Sequence, residues 1–202
     1  MKTILYRPTG LEELLLVYES KMRAWPPRLP EQPIFYPVLN FGYAEQIARD
    51  WNTRSRSFAG YVTRFEIEGE YAANFERRVV GGREHEELWV PAEQLDEFNQ
   101  HILGRIERVG AYFGSRFVGF VPRQGRLAGL DAAAQLSRLA DLAPDDGAAL
   151  REEVGENHRV VFLNYPFWET ECVLSECAAE RVLSKVRAVW SEAFPERSLR
   201  IT

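Results

Sequence analysis

Cysteine is almost absent from this sequence: Cys172 and Cys177 are the only two in 202 residues. Two thiols five positions apart exclude a disulfide framework and read as reduced thiols of a cytosolic chain, although such a spacing leaves open that the two approach each other. Histidine is as scarce. His85, His101 and His158 share no helix-face or finger spacing, which excludes a zinc site, and none stands beside a cysteine to make a thiol nucleophile. There is no Walker loop and no G-x-G-x-x-G, so Gly81-Gly82 reads as a turn rather than a phosphate cradle. No apolar run approaches the roughly 20 residues needed to span a bilayer, and no positively charged apolar leader opens the chain. A cytoplasmic protein with no membrane partner is expected. Surplus basic charge is missing too: 25 Lys and Arg stand against 30 Asp and Glu, a net charge of −5, with the arginines scattered among acids. That excludes the basic stripe that tracks a nucleic-acid backbone, but still allows a local basic pocket for one small phosphate ligand.

What is present is a globular composition, 46% hydrophobic and 27% charged, with aromatic bulk sufficient for both a core and a pocket wall. Residues 3–7 (TILYR) read as a strand ended by Pro8. Thr9 and Glu12 form a capping box for a helix carrying Leu11, Leu14, Leu15, Tyr18 and Met22 at helical spacing. The proline-rich stretch 25–33 (WPPRLPEQP) must be extended, and 34–39 (IFYPVL) is an edge strand interrupted by Pro37. Asn40 caps a second helix with Tyr43, Ala44, Ile47, Ala48 and Trp51 on its apolar stripe, and 53–59 is a loop. The alternation Tyr61, Thr63, Phe65, Ile67 predicts a half-buried strand. Residues 75–80 and 86–90 pair around Gly81-Gly82. Pro91 opens a helix through Leu95, Phe98 and Ile102 that Gly104 closes, and 106–113 and 117–121 form another strand pair around Gly114.

After Pro122 the pattern turns helical. A helix is expected over 130–142, a short one capped by Asp145-Asp146, an apolar strand or buried run at 160–163, and a last long helix capped by Ser175. The expected architecture is α+β, with small twisted, mainly antiparallel sheets and flanking helices in residues 1–122 and a mainly helical extension in residues 123–202. Phe162, Tyr165, Phe167 and Trp168 are read as core, with a pocket wall or a homodimer contact as the alternatives.

Three phrases, LYRPTGLEEL at the start, PPRLPEQPIFYPVLNFGYAEQIARDWN at 26–52 and VVGGREHEELWVPAEQLDEFN at 79–99, resemble a family of small bacterial proteins labelled "ADP-ribosylation/crystallin J1". The resemblance continues through AYFGSRFVGFV and fades after Gln135, covering about two-thirds of the chain. The hydrolases that gave the family its label are all-helical dimetal enzymes, whereas this chain is strand-rich without an acidic cluster for two metals. Its element order is similar instead to the ADP-ribosyltransferase fold, which opens strand–helix and keeps a functional glutamate on a late strand.

That likeness implies NAD as substrate and a particular division of labour. Arg7, ending the first strand, would grip the phosphates with its planar guanidinium. Tyr36, with Tyr43 nearby, would stack the nicotinamide. Glu87, followed by Glu86, would stabilise the oxocarbenium-like centre formed when the nicotinamide–ribose bond breaks. Glu84 and Glu86 form an E-x-E pair that strand alternation points to one face, with Glu87 on the other. Arg28, framed by prolines, would either close over a ligand or staple its loop to a core carboxylate. Two departures stand out: the first strand has no histidine, and Ser55 and Ser57 fall in a loop rather than in a Ser-Thr-Ser strand motif. The reading is therefore an NAD-binding, ADP-ribosyltransferase-like protein that transfers or hydrolyses ADP-ribose. The alternative is an immunity-like or regulatory protein that keeps the fold without the chemistry and meets a protein partner.

Overall fold

A computed structural model describes residues 1–143, 147–171 and 176–201. The chain divides into two compact units, Met1–Ser115 and Arg116–Ile201.

The first unit is mixed α+β. Strands β1 (Lys2–Thr9), β3 (Ala59–Glu68) and β6 (Ile102–Phe113) form an antiparallel sheet in the order β1-β3-β6. Strands β2 (Ile34–Phe35), β5 (Glu86–Pro91) and β4 (Glu76–Val79) form a second, in the order β2-β5-β4. Val38 links the two, pairing with Tyr6 on one side and Glu87 on the other. Helix α1 (Leu11–Glu19) follows β1, and α2 (Phe41–Asp50) precedes β3. The short helices α3 (Gly69–Ala72) and α4 (Leu95–Gln100) fill the connections.

Pro8 does not end β1. It pairs with Val62 inside the strand. Tyr6 turns its N–H and C=O toward Val38, so two residues on, the proline nitrogen faces away from β3, where a missing donor costs the β1–β3 ladder nothing. Nor does Thr9 cap α1. Thr9 is buried at the strand end, Gly10 is the cap residue, and no side chain bonds the helix start in the capping-box manner. Asn40 behaves as its chemistry predicts, its Oδ1 accepting from the Tyr43 N–H at 3.2 Å to open α2.

Strand β3 is more deeply buried than its alternation suggests. From Ala59 to Thr63 both faces are covered, because β3 is central and α2 lies on one side. The α2 face holds Val38, Tyr43, Ala44, Ala48 and Val62. The opposite face holds an aromatic cluster in which Trp25 lies 5.3 Å from both Phe35 and Phe65, and Phe98 lies 5.7 Å from Phe35. The β1–β3 register runs unbroken over eight pairs, whereas β3–β6 shifts twice, so β6 carries the extra residues. This corrects the reading of Pro91 and Gly104. Pro91 is the last residue of β5, α4 ends at Gln100, and Gly104 sits inside β6 with φ +77°, a left-handed conformation suited to glycine near a bulge.

The second unit holds α5 (Ala132–Leu142), α6 (Ala148–Glu156), α7 (His158–Thr170) and α8 (Glu176–Ala193). Residues 117–121 form no strand. They carry no regular secondary structure: Gly119 has φ +86°, and Phe120 is pinned at its N–H and C=O by the Asn164 side-chain amide. Residues 160–163 belong to α7, where Val160 through Pro166 are all buried. A helix buried all round shows no 3.6-residue period, so its apolar run mimics a strand. The expectations for Asp145, Asp146, Ser175 and the Cys172–Cys177 approach lie outside the described residues.

Glu153 is fully buried in this unit. Its Oε1 accepts from Asn157 Nδ2 at 2.7 Å, while Oε2 has no hydrogen bond and lies 3.9 Å from Arg126 Nη1. Burial raises its pKa above the ordinary value, against the lowering effects of Asn157 and Arg126. A carboxyl whose pKa rises on folding favours the fold most below its unfolded pKa of about 4.3, and the advantage is lost as pH climbs through the folded value. Glu153→Gln keeps an acceptor for Asn157 and removes the charge. The variant should melt about 2–5 °C above the parent at pH 7.5, with the difference closing toward pH 4 in thermal denaturation. An equal or lower melting temperature at pH 7.5 would show that Arg126 compensates the charge fully.

Among the described residues no helix is long and apolar enough to cross a membrane, and no group of three His, Cys, Asp or Glu side chains is placed to hold a metal ion.

Candidate ligand-binding site

In the first unit a cavity of about 430 Å³ opens between the end of β1, the start of α1, the proline-rich segment and the loop after α2. Glu13 organises its floor. Arg7 donates to that carboxylate from Nε at 3.1 Å and from Nη2 at 3.0 and 3.3 Å, and its Nη1 donates to the Tyr36 carbonyl at 3.0 Å. Its guanidinium carbon also lies 4.8 Å from the centre of the Phe35 ring. This is the two-pronged grip expected of Arg7, but it is spent on a residue of the same chain.

Arg28 reaches the same carboxylate, with Nη1 3.3 Å from Glu13 Oε1. The proline frame holds it there. Trp25 is fastened to Asn99 by reciprocal bonds, Trp25 N to Asn99 Oδ1 at 2.8 Å and Asn99 Nδ2 to Trp25 O at 3.0 Å. At the other end the Pro33 carbonyl accepts from Ala92 N at 2.8 Å. Arg28 thus staples its loop to a carboxylate and lines the cavity as well. Its side chain is 11% exposed, and its Nε is buried without a partner. Burial lowers its pKa first, then the nearby Arg7 guanidinium, against the raising effect of Glu13.

The far wall is Ser55, Arg56 and Ser57. Arg56 and Phe58 both adopt left-handed conformations, φ 48° and 54°, which non-glycine residues enter at a cost. The kinked loop presents an exposed Arg56 that forms no ion pair among the described residues. Ser57 Oγ accepts from the Leu11 N–H at 3.4 Å and donates to Glu12 Oε2 at 3.4 Å, tying the loop to the first turn of α1. Three guanidiniums and two carboxylates line the cavity, which leaves it a net positive charge.

The remaining expected site residues lie elsewhere. Directly opposed residues of paired strands share a face, so Tyr6, Val38 and Glu87 lie together on the α2 side. Arg7, next to Tyr6, points to the other face. Glu87 accepts from the Tyr43 hydroxyl at 3.0 Å, and Tyr43 stacks on His85 with centroids 4.2 Å apart. Burial, then the bond to Glu87, pushes the Tyr43 hydroxyl up to about 12. The space between Arg7 and Glu87 is therefore sheet and packed side chains, not a cleft. Glu86 lies 3.9 Å from Arg77 on the β4–β5 hairpin. Tyr36 contributes its carbonyl to Arg7, while its ring packs edge-on against Trp89 at 5.1 Å. The structure joins Arg7 and Arg28 in one site and leaves Glu86, Glu87 and Tyr43 outside it.

The chain has no match among protein-family models, curated proteins or solved structures.

Glu12, Glu13 and Arg56 were missing from the sequence-derived site. Glu12 and Glu13 read as ordinary helix-start acids, which favour the helix dipole wherever they occur. The available signal was that Arg7 and Glu13 flank a strand-to-helix turn six residues apart, a spacing that lets an arginine meet a first-turn acid.

Proposed function

We propose that the first unit is an ADP-ribosyltransferase-like module that binds NAD, or a nucleotide carrying the same phosphates, in the Arg7–Arg28 cavity, without a transfer step at Glu87. The observation that carries this reading is Arg28. It is a guanidinium nearly removed from solvent, set at a cavity wall, with one bond to a carboxylate that a second arginine already holds. A half-satisfied buried cation of this kind gains most from an incoming anion, and its flat edge suits phosphate. The resemblance in the strand-to-helix opening and the proline-spaced phrase supports the nucleotide class. The placement of Glu87 on the other face supports binding over catalysis by that residue, which agrees with a regulatory role.

The test is calorimetric titration of the full chain with NAD. Arg28→Gln should weaken binding about 10- to 100-fold, the range for losing one charged hydrogen bond or a bidentate pair. Glu87→Gln should leave affinity unchanged. Absence of heat and of thermal shift at millimolar NAD, or full affinity in Arg28→Gln with its fold intact, would overturn the reading.

A further inference from the structure

We infer that Glu12 selects among anionic ligands by their hydroxyl groups, so that the cavity takes a ribosyl phosphate rather than a bare polyanion. This rests on the reading above and adds the part of the ligand next to the phosphate. Glu12 stands at the first turn of α1 with its Oε2 turned back over Gly10, where an added Cβ would come within 3.4 Å of it. The carboxylate is exposed and receives one long hydrogen bond, from Ser57 Oγ at 3.4 Å. A carboxylate offers about four acceptor sites, so most of this one's capacity is unused while the residue lines the cavity. Glu13, by contrast, is taken up by Arg7 and Arg28.

A free carboxylate inside a pocket built around guanidiniums has two effects. It repels a further anionic group that brings no hydroxyl donor, which disfavours free pyrophosphate and dicarboxylates. It also accepts from neighbouring O–H donors, and a vicinal diol fits a carboxylate two-to-two, as when an acidic side chain reads a ribose in dinucleotide sites. The rim carries the third element. Leu16 and Leu29, each about half exposed, stand with Pro26 and Pro27 at the cavity mouth, an apolar ledge for the flat face of a base. Anion at Arg28 and Arg56, diol at Glu12 and ring on the leucine–proline ledge together describe a nucleoside monophosphate unit.

The inference is tested by titrating the full chain with AMP, its 2′,3′-dideoxy analogue and inorganic pyrophosphate. The parent protein should prefer AMP to the dideoxy analogue by about tenfold or more, the discrimination of a lost charged hydrogen bond. Glu12→Ala should bring that ratio close to one and bind pyrophosphate no more weakly than the parent does. If AMP and its dideoxy analogue bind equally to the parent while Arg28→Gln still weakens binding, the diol inference fails and the anion pocket stands. If the ratio survives in Glu12→Ala, another residue reads the hydroxyls and the inference fails. If neither nucleotide nor NAD binds at millimolar concentration, both readings fail together.

Discussion

Gly60→Ala should cost the first unit about 3 kcal/mol or more and lower its melting temperature by more than ~10 °C. A Cβ built on Gly60 falls 2.0 Å from the backbone oxygen of Ala48 and 2.6 Å from its carbonyl carbon. These are main-chain atoms of α2, so no side-chain rotation relieves the contact. The helix would have to lift from the strand, opening the cluster of Val38, Tyr43, Ala44, Ala48 and Val62. Interiors packed to crystal density do not absorb such a shift locally. Differential scanning calorimetry reads the effect directly. A loss below about 1 kcal/mol would mean that α2 can slide on β3, and that its fixed position is not what places Asn52 and Ser55 beside the cavity.

Asn164→Ala should destabilise the second unit by about 2–4 kcal/mol, because one fully buried amide serves three partners. Its Oδ1 accepts from Phe120 N at 2.8 Å, and its Nδ2 donates to Phe120 O at 3.0 Å and to Gln135 Oε1 at 2.6 Å. Gln135 in turn donates to Phe120 O at 3.0 Å and to Leu130 O at 2.7 Å. Truncating Asn164 strands the Phe120 N–H and the Gln135 carbonyl oxygen together. The measurements are a urea midpoint for the second unit and amide exchange at Phe120, which should speed up. The Asn164→Leu, Gln135→Leu double variant should lose at least as much, since it also leaves the Phe120 and Leu130 carbonyls without their side-chain donors. No change in either readout would show that water replaces the amide at no cost.

Much of the first unit was legible because its local signals are strong. The Asn40 cap, the β4–β5 hairpin and the central strand each rest on short-range chemistry that packing leaves in place. The misreadings share one cause, dependence on what lies beside an element. Pro8 is tolerated in β1 because the strand is an edge of its sheet with the nitrogen turned outward, which residues 3–9 cannot reveal by themselves. The 160–163 run, expected as a strand or a buried run, is the latter: it could pass for a strand because α7 is buried at every position from Val160 to Pro166. The expected site failed in the same way. Arg7 and Glu87 are each plausible alone, and only the register Tyr6–Val38–Glu87 shows that one residue of offset separates their faces. Arg28 was visible from its proline frame, whereas its partnership with Glu13 depends on where α1 comes to rest.

The double fastening of the proline-rich segment changes how a molecule would arrive. With Trp25 clasped to Asn99 and Pro33 held at Ala92, the stretch between them is tethered at both ends before any visitor appears. The conformational entropy of that wall is surrendered during folding, not on capture. Association can therefore proceed at the pace of diffusion and orientation, with no waiting for a loop to assemble around its guest.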